Sequence, residues 1–118
     1  MYGLPPDIDL GFFLQKLLVQ ICFGGSDLHL NFEACSVLIT SRIAVVTSDG
    51  KREVFNDYRL AAPMLFPLLT VAVDSVKGTT DGTLYLGFSG KGFVEIYDDS
   101  QQFESYVIRR LGEKEIVV

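Results

Sequence analysis

Histidine is almost missing from this chain, and clustered positive charge is missing altogether. The 118 residues hold one histidine, His29. A metal centre built from several histidines is therefore excluded, and a serine triad could run only through that residue. Ten lysines and arginines face 15 acidic residues, giving a net charge of -5 and a pI near 4.7. Lys51-Arg52 and Arg109-Arg110 are the only adjacent cationic pairs. A nucleic-acid binder carries a basic patch, so no nucleic-acid partner is expected. Cysteine is scarce as well. Cys22 and Cys35 are expected to be free thiols of a cytoplasmic protein. The most apolar run, Leu10 to Phe23, is broken by Gln15, Lys16 and Gln20. It is too short and too polar to span a bilayer, which takes about 20 apolar residues. The opening, Met1 to Asp7, has neither a positive n-region nor a cleavage pattern and does not read as a signal peptide. No membrane contact is expected.

What is present is apolar. Hydrophobic residues make up 48% and the mean hydropathy is +0.30, which is high for a small monomer. Burial against a second copy or a protein partner is the natural outlet for such a surface, so a homodimer or a protein–protein contact is expected. With no Gly/Ser linker and no low-complexity segment, residues 1–118 read as a single domain.

The chain also repeats itself. Leu28-His29-Leu30-Asn31-Phe32 returns as Leu84-Tyr85-Leu86-Gly87-Phe88, and Val37-Leu38-Ile39 as Val94-Glu95-Ile96. Ile43 through Phe55 lies without a gap on Ser105 through Val117, pairing Val45 with Val107, Gly50 with Gly112 and Val54 with Ile116. Leu18 matches Leu69. Two pseudo-repeats, about 9–55 and 59–118, are expected to share one core.

Each repeat reads as a short helix followed by about five antiparallel strands, an α+β fold that is mostly antiparallel β. Asp9 can cap a helix from Leu10 to Lys16, kept short by Gly11. From Leu17 the period is two, with Leu17, Val19, Ile21 and Phe23 on one face and Gln20 and Cys22 on the other. Gly24-Gly25-Ser26-Asp27 turns the chain into Leu28–Phe32. Strands at Val37–Thr40, Ile43–Thr47 and Arg52–Phe55 complete the first half. In the second, Arg59–Phe66 reads as a helix interrupted by Pro63, or starting there. Strands follow near 69–76, 83–89, 93–97, 105–110 and 114–118, and Asp98–Phe103 is the one sizeable polar excursion.

Candidate chemistry is thin. A four-residue loop at Gly24–Asp27 sets Cys22 opposite His29, and a neighbouring imidazole can activate a thiol as in a small thiol hydrolase. A two-residue Gly24-Gly25 loop would set Gln20 there instead. The reading of this face is an ordinary polar one, with Tyr85 at the matching place in the second half. Asp98 and Asp99, with Glu104 nearby, are the densest acidic cluster, of the oxygen-ligand kind that suits calcium or magnesium. Their spacing fits no EF-hand loop, and a capped, solvated turn is the better reading. Gly87-Phe88-Ser89-Gly90-Lys91-Gly92 lacks the lysine-then-hydroxyl ending and the following helix of a phosphate loop, so it reads as a hairpin turn. Phe12, Phe13, Leu14 and Met64, Leu65, Phe66 read as core, and a seam between the halves is the place for a small-ligand groove. No cofactor is expected.

Met1-Tyr2-Gly3-Leu4-Pro5-Pro6-Asp7-Ile8-Asp9-Leu10 at the start resembles a family of small bacterial proteins catalogued as a domain of unknown function. So do Asp81 through Phe88, Phe103 through Ile108 and Glu115 through Val118. The resemblance implies a bacterial, cytoplasmic, free-standing domain and carries no activity, cofactor or catalytic residue with it. The expected function is a non-enzymatic interaction or binding module. An immunity protein that blocks a toxin is one version, by analogy of size and charge. A small-ligand binder and a Cys22–His29 thiol enzyme are the alternatives.

Overall fold

The computed structural model describes residues 3–5, 7–100 and 104–118. Met1, Tyr2, Pro6 and the end of the polar excursion, Gln101 to Phe103, lie outside the described residues. The strands are β1 (Leu18–Phe23), β2 (Leu28–Phe32), β3 (Cys35–Ile39), β4 (Ile43–Val46), β5 (Arg52–Phe55), β6 (Val73–Gly78), β7 (Leu84–Phe88), β8 (Gly92–Ile96), β9 (Tyr106–Arg110) and β10 (Ile116–Val117). They form two five-stranded antiparallel sheets, ordered β1-β2-β3-β9-β10 and β5-β4-β8-β7-β6. With its short helix this is the expected α+β, mostly antiparallel, class.

The strands exist because hydrophobicity alternates. In β2 and β3, Leu28, Leu30, Phe32, Cys35, Val37 and Ile39 are buried, while the residues between them are partly exposed. The inward residues of both sheets join one apolar cluster. Each fully buried side chain there contributes about 1.5–3 kcal/mol. Phe32 and Phe88 stack across it with centroids 6.2 Å apart, and Phe13 meets Phe32 edge-on at 5.7 Å. The seam between the halves, expected as the place for a small-ligand groove, is thus filled with rings.

Each sheet takes three consecutive strands from one half of the chain and two from the other. The two are locked at β1 and β6 by reciprocal backbone bonds. Gln15 N donates to Val73 O (2.8 Å) and Thr70 N to Leu18 O (2.7 Å). Val73 N donates to Lys16 O (2.9 Å) and Leu18 N to Val71 O (3.3 Å). Leu17 and Ala72 bridge at the centre.

The ladders set Val73, not Leu69, at the place of Leu18, because each pairs with the closing phenylalanine of its hairpin, Phe88 or Phe32. They set Ile108, not Val107, at the place of Val45, since Val37 faces Ile108 as Val94 faces Val45. The gap-free pairing therefore slips by one residue in the last segment.

A bulge at Val19 resets the alternation of β1. Leu18 turns fully inward and Val19 outward, 53% exposed, so Leu17 and Val19 do not share the face of Ile21 and Phe23. β6 carries the matching irregularity at Asp74.

The first expected helix shrinks to a 3-10 turn at Gly11–Phe13, with the Asp9 carboxylate accepting the Gly11 N–H at 2.8 Å. The helix cannot extend because residues 15–18 are drawn into pairing with 70–73. The second helix forms: α1 spans Tyr58–Leu65, with the Asp57 side chain capping Arg59 N. It does not start at Pro63. That proline sits on the exposed side of its last turn, and the chain tightens to a 3-10 turn at Phe66–Leu68. Tyr58, Ala61 and Leu65 face the core.

Candidate functional site

The outer face of the second sheet is where polar and aromatic side chains collect. Residues that alternate with the core residues meet in two cross-strand rows. One runs Val54, Ala44, Glu95, Tyr85, Lys77; the other runs Arg52, Val46, Phe93, Gly87, Ser75. Gly87 is there for want of a side chain: a Cβ on it would lie 2.0 Å from Ser75 Oγ. Around it lies an open depression of about 510 Å³ lined by Ser75, Lys77, Tyr85, Gly87, Phe93 and Glu95. The Tyr85 and Phe93 rings stand 6.3 Å apart and tilted by 55° on its floor.

Glu95 is only 6% exposed on this outer face. A buried carboxylate needs partners, and it has two. Arg52 Nη2 donates at 3.0 Å and the Tyr97 hydroxyl at 2.7 Å. Arg52 Nη2 also donates to the Tyr97 oxygen. The Tyr97 ring lies between two guanidinium groups, Arg42 at 5.7 Å and Arg52 at 5.9 Å. Arg42 in turn pairs with Asp99 at 2.5 Å. Burial, then the bond to Glu95 and that carboxylate's charge, push the Tyr97 hydroxyl up to about 12. The chain Asp99–Arg42–Tyr97–Arg52–Glu95 holds the Glu95 wall of the cavity in place, and Lys77, which forms no ion pair among the described residues, supplies a cation on the other side of Tyr85. Such a site can hold a flat apolar group against the rings and draw an anionic or accepting group to Lys77.

The residues singled out from sequence lie elsewhere. Phe23 pairs with Leu28 around the four-residue loop, so Cys22 and His29 are cross-strand neighbours and the Gln20 alternative does not occur. Their side chains are not joined. The Cys22 thiol accepts from Asn31 Nδ2 at 3.8 Å, and His29 Nε2 approaches Asp27 at 3.8 Å. Cys35 is buried, which pushes its thiol up against a weaker lowering by the Lys16 charge.

Asp98 and Asp99 serve the fold. Asp98 is buried and accepts from Gly3 N (2.7 Å) and Ser105 Oγ (2.8 Å), tying the start of the described chain to the β8–β9 crossover. Asp99 is taken by Arg42. Among the described residues no group of three His, Cys, Asp or Glu is arranged to hold a metal ion. Gly87–Gly92 is a hairpin, β7 to β8, as read from the sequence.

Compared with family models, with curated proteins and with solved structures, the chain matches none. The site therefore stands on its geometry. The sequence sets Gly87 in a hairpin and Glu95 in the repeat and points to neither as a site, although a signal is present: pairing Val37-Leu38-Ile39 with Val94-Glu95-Ile96 sets a charge against a leucine in the middle of a sheet.

Proposed function

We propose that this chain is a non-enzymatic binding module whose working surface is the outer face of the second sheet. The supporting observation is the 510 Å³ cavity floored by Tyr85, Phe93 and Gly87 and walled by a buried, already paired Glu95. Its size falls within the usual range for small-ligand sites, about 300–1,000 Å³. The ligand class is a small planar molecule with an acidic or accepting substituent for Lys77. The two sheets are proposed to descend from one duplicated unit, of which only the second acquired the groove. The matched hairpins, bulges and reciprocal joint support that origin. A bacterial, cytoplasmic setting is part of the same proposal and rests on the family resemblance.

A thermal-shift screen of planar amides, which offer Lys77 an accepting carbonyl and carry no carboxylate, tests the reading. Binders raise the melting temperature of the wild-type protein, and Tyr85→Ala and Lys77→Met lose the response. No ligand-dependent shift, or one that both variants retain, would sink the groove. Substrate turnover abolished by Cys22→Ala would overturn the non-enzymatic part.

A protein contact has support of its own. Leu60, 70% exposed, and Phe66, 52% exposed, lie on α1 and just after it, with Phe23 packed edge-on against Phe66 at 6.0 Å. This apolar edge suits a second copy or an immunity-type partner.

A further inference from the structure

The chain has five arginines, and four have a carboxylate: Arg42 with Asp99, Arg52 with Glu95, Arg59 with Asp57, and Arg109 with Glu115. Arg110 does not. It ends β9 opposite Cys35, so the two side chains share the inner side of the first sheet at its rim. Its guanidinium lies 4.8 Å over the Phe12 ring. Its Nε is buried with no hydrogen-bond partner. A fold rarely leaves a charged donor buried and unanswered, and such a group asks for a reason. A guanidinium carries its N–H groups in the planar fork that suits an oxyanion.

Beside it is a depression of about 300 Å³ lined by Phe12, Lys16, Cys35, Arg110, Leu111 and Glu113. Lys16 has no ion pair among the described residues either, and its charge is felt at the Cys35 thiol. Glu113 forms no ion pair among the described residues, so the depression carries one net positive charge in a protein of net charge -5. Phe12 and the exposed Leu111 give it apolar walls.

We infer that this depression binds a carboxylate carried on a short apolar body, with Arg110 and Lys16 as its cationic contacts. The planar carboxylate matches the guanidinium fork, and the apolar walls take the body. The site is separate from the groove on the second sheet. None of its lining residues is shared with that groove.

Titration with benzoate, followed by ¹H–¹⁵N spectra of the arginine Nε–H groups, tests it. The Arg110 resonance is expected to shift and saturate. Followed by the Leu111 backbone amide instead, Arg110→Gln should weaken binding about tenfold or more, the loss of one charge-assisted contact. Lys16→Gln should weaken it less, and it serves alone if Arg110→Gln does not fold. Lys77→Met should leave the titration unchanged, which separates this site from the groove. No saturable shift, or affinity equal in wild type and Lys16→Gln, overturns the site. Saturation by inorganic phosphate but not benzoate overturns the ligand class.

Discussion

Leu38 and Glu95 stand at equivalent points of the two sheets, each one residue from the end of the central strand, and only Glu95 carries a charge. Leu38 faces His29 and Val107; Glu95 faces Tyr85 and Ala44. Glu95→Leu gives the second sheet the first sheet's residue. Arg52, whose side chain is 50% exposed, can turn to solvent when its partner is lost. Stability measured by chemical denaturation is expected to change by no more than about 1 kcal/mol. Ligand-induced thermal shifts in the groove should shrink, because the carboxylate that holds Arg52 and Tyr97 in place beside it is gone.

Gly92 and Gly87 look alike in sequence and should behave differently. Gly92 has φ +92, and a Cβ on it would lie 1.9 Å from the Val46 carbonyl oxygen, which is backbone and cannot step aside. Gly92→Ala is expected to cost about 3 kcal/mol. At Gly87 the obstacle is the Ser75 hydroxyl, which can rotate, so Gly87→Ala should cost about 1 kcal/mol while shrinking the groove. Urea denaturation of both variants gives the comparison.

Three tyrosines are held protonated by the fold. Burial pushes Tyr58 up to about 12, burial with the Glu95 bond pushes Tyr97 equally far, and Tyr106, fully buried, is raised as well. A raised phenol supports the folded state fully below the ordinary value of 10.0 and loses that support as pH climbs through the folded value. Stability should therefore fall between about pH 10 and 12. Tyrosinate absorbance should lag that of the unfolded chain over the same range. The Tyr106 hydroxyl donates to Gly82 O at 2.6 Å. Tyr106→Phe should cost about 1 kcal/mol at neutral pH and lessen the alkaline decline.

The two thiols should separate cleanly with iodoacetamide. Cys35 is buried and raised, so it should label only on unfolding. Cys22 is partly exposed and should label in the native protein. His29→Ala should leave the Cys22 rate within about twofold, since no hydrogen bond joins the pair. A rate that collapses in His29→Ala would revive the thiol-enzyme reading.

Local patterns were legible in the sequence where a period of two ran unbroken. Leu28–Phe32 alternates cleanly and forms a strand with those bounds, and the strand expected near 83–89 forms at Leu84–Phe88. The four residues from Gly24 to Asp27 were enough to set Cys22 opposite His29. The period failed at Val19, because a bulge inserts one residue and inverts every face before it. The helix expected at Leu10–Lys16 failed because backbone pairing with residues 70–73 outweighs a weak local propensity interrupted by Gly11. The groove was illegible for another reason. Its floor comes from β6, β7 and β8, and its paired wall reaches Arg52 on β5. Only the strand order brings these together.

The exchange of β4–β5 and β9–β10 between sheets has a consequence for synthesis. When the chain has been made as far as Phe55, three strands of one sheet and two of the other exist, and neither sheet can close. The outer edge of β3 must wait for β9, some 70 residues later. Pairings so distant in sequence form slowly, and an unpaired edge invites a neighbouring chain. The nascent first half is therefore the stage most exposed to aggregation and to chaperone capture. Substitutions that delay β9 should lower soluble yield more than they lower the stability of the finished fold.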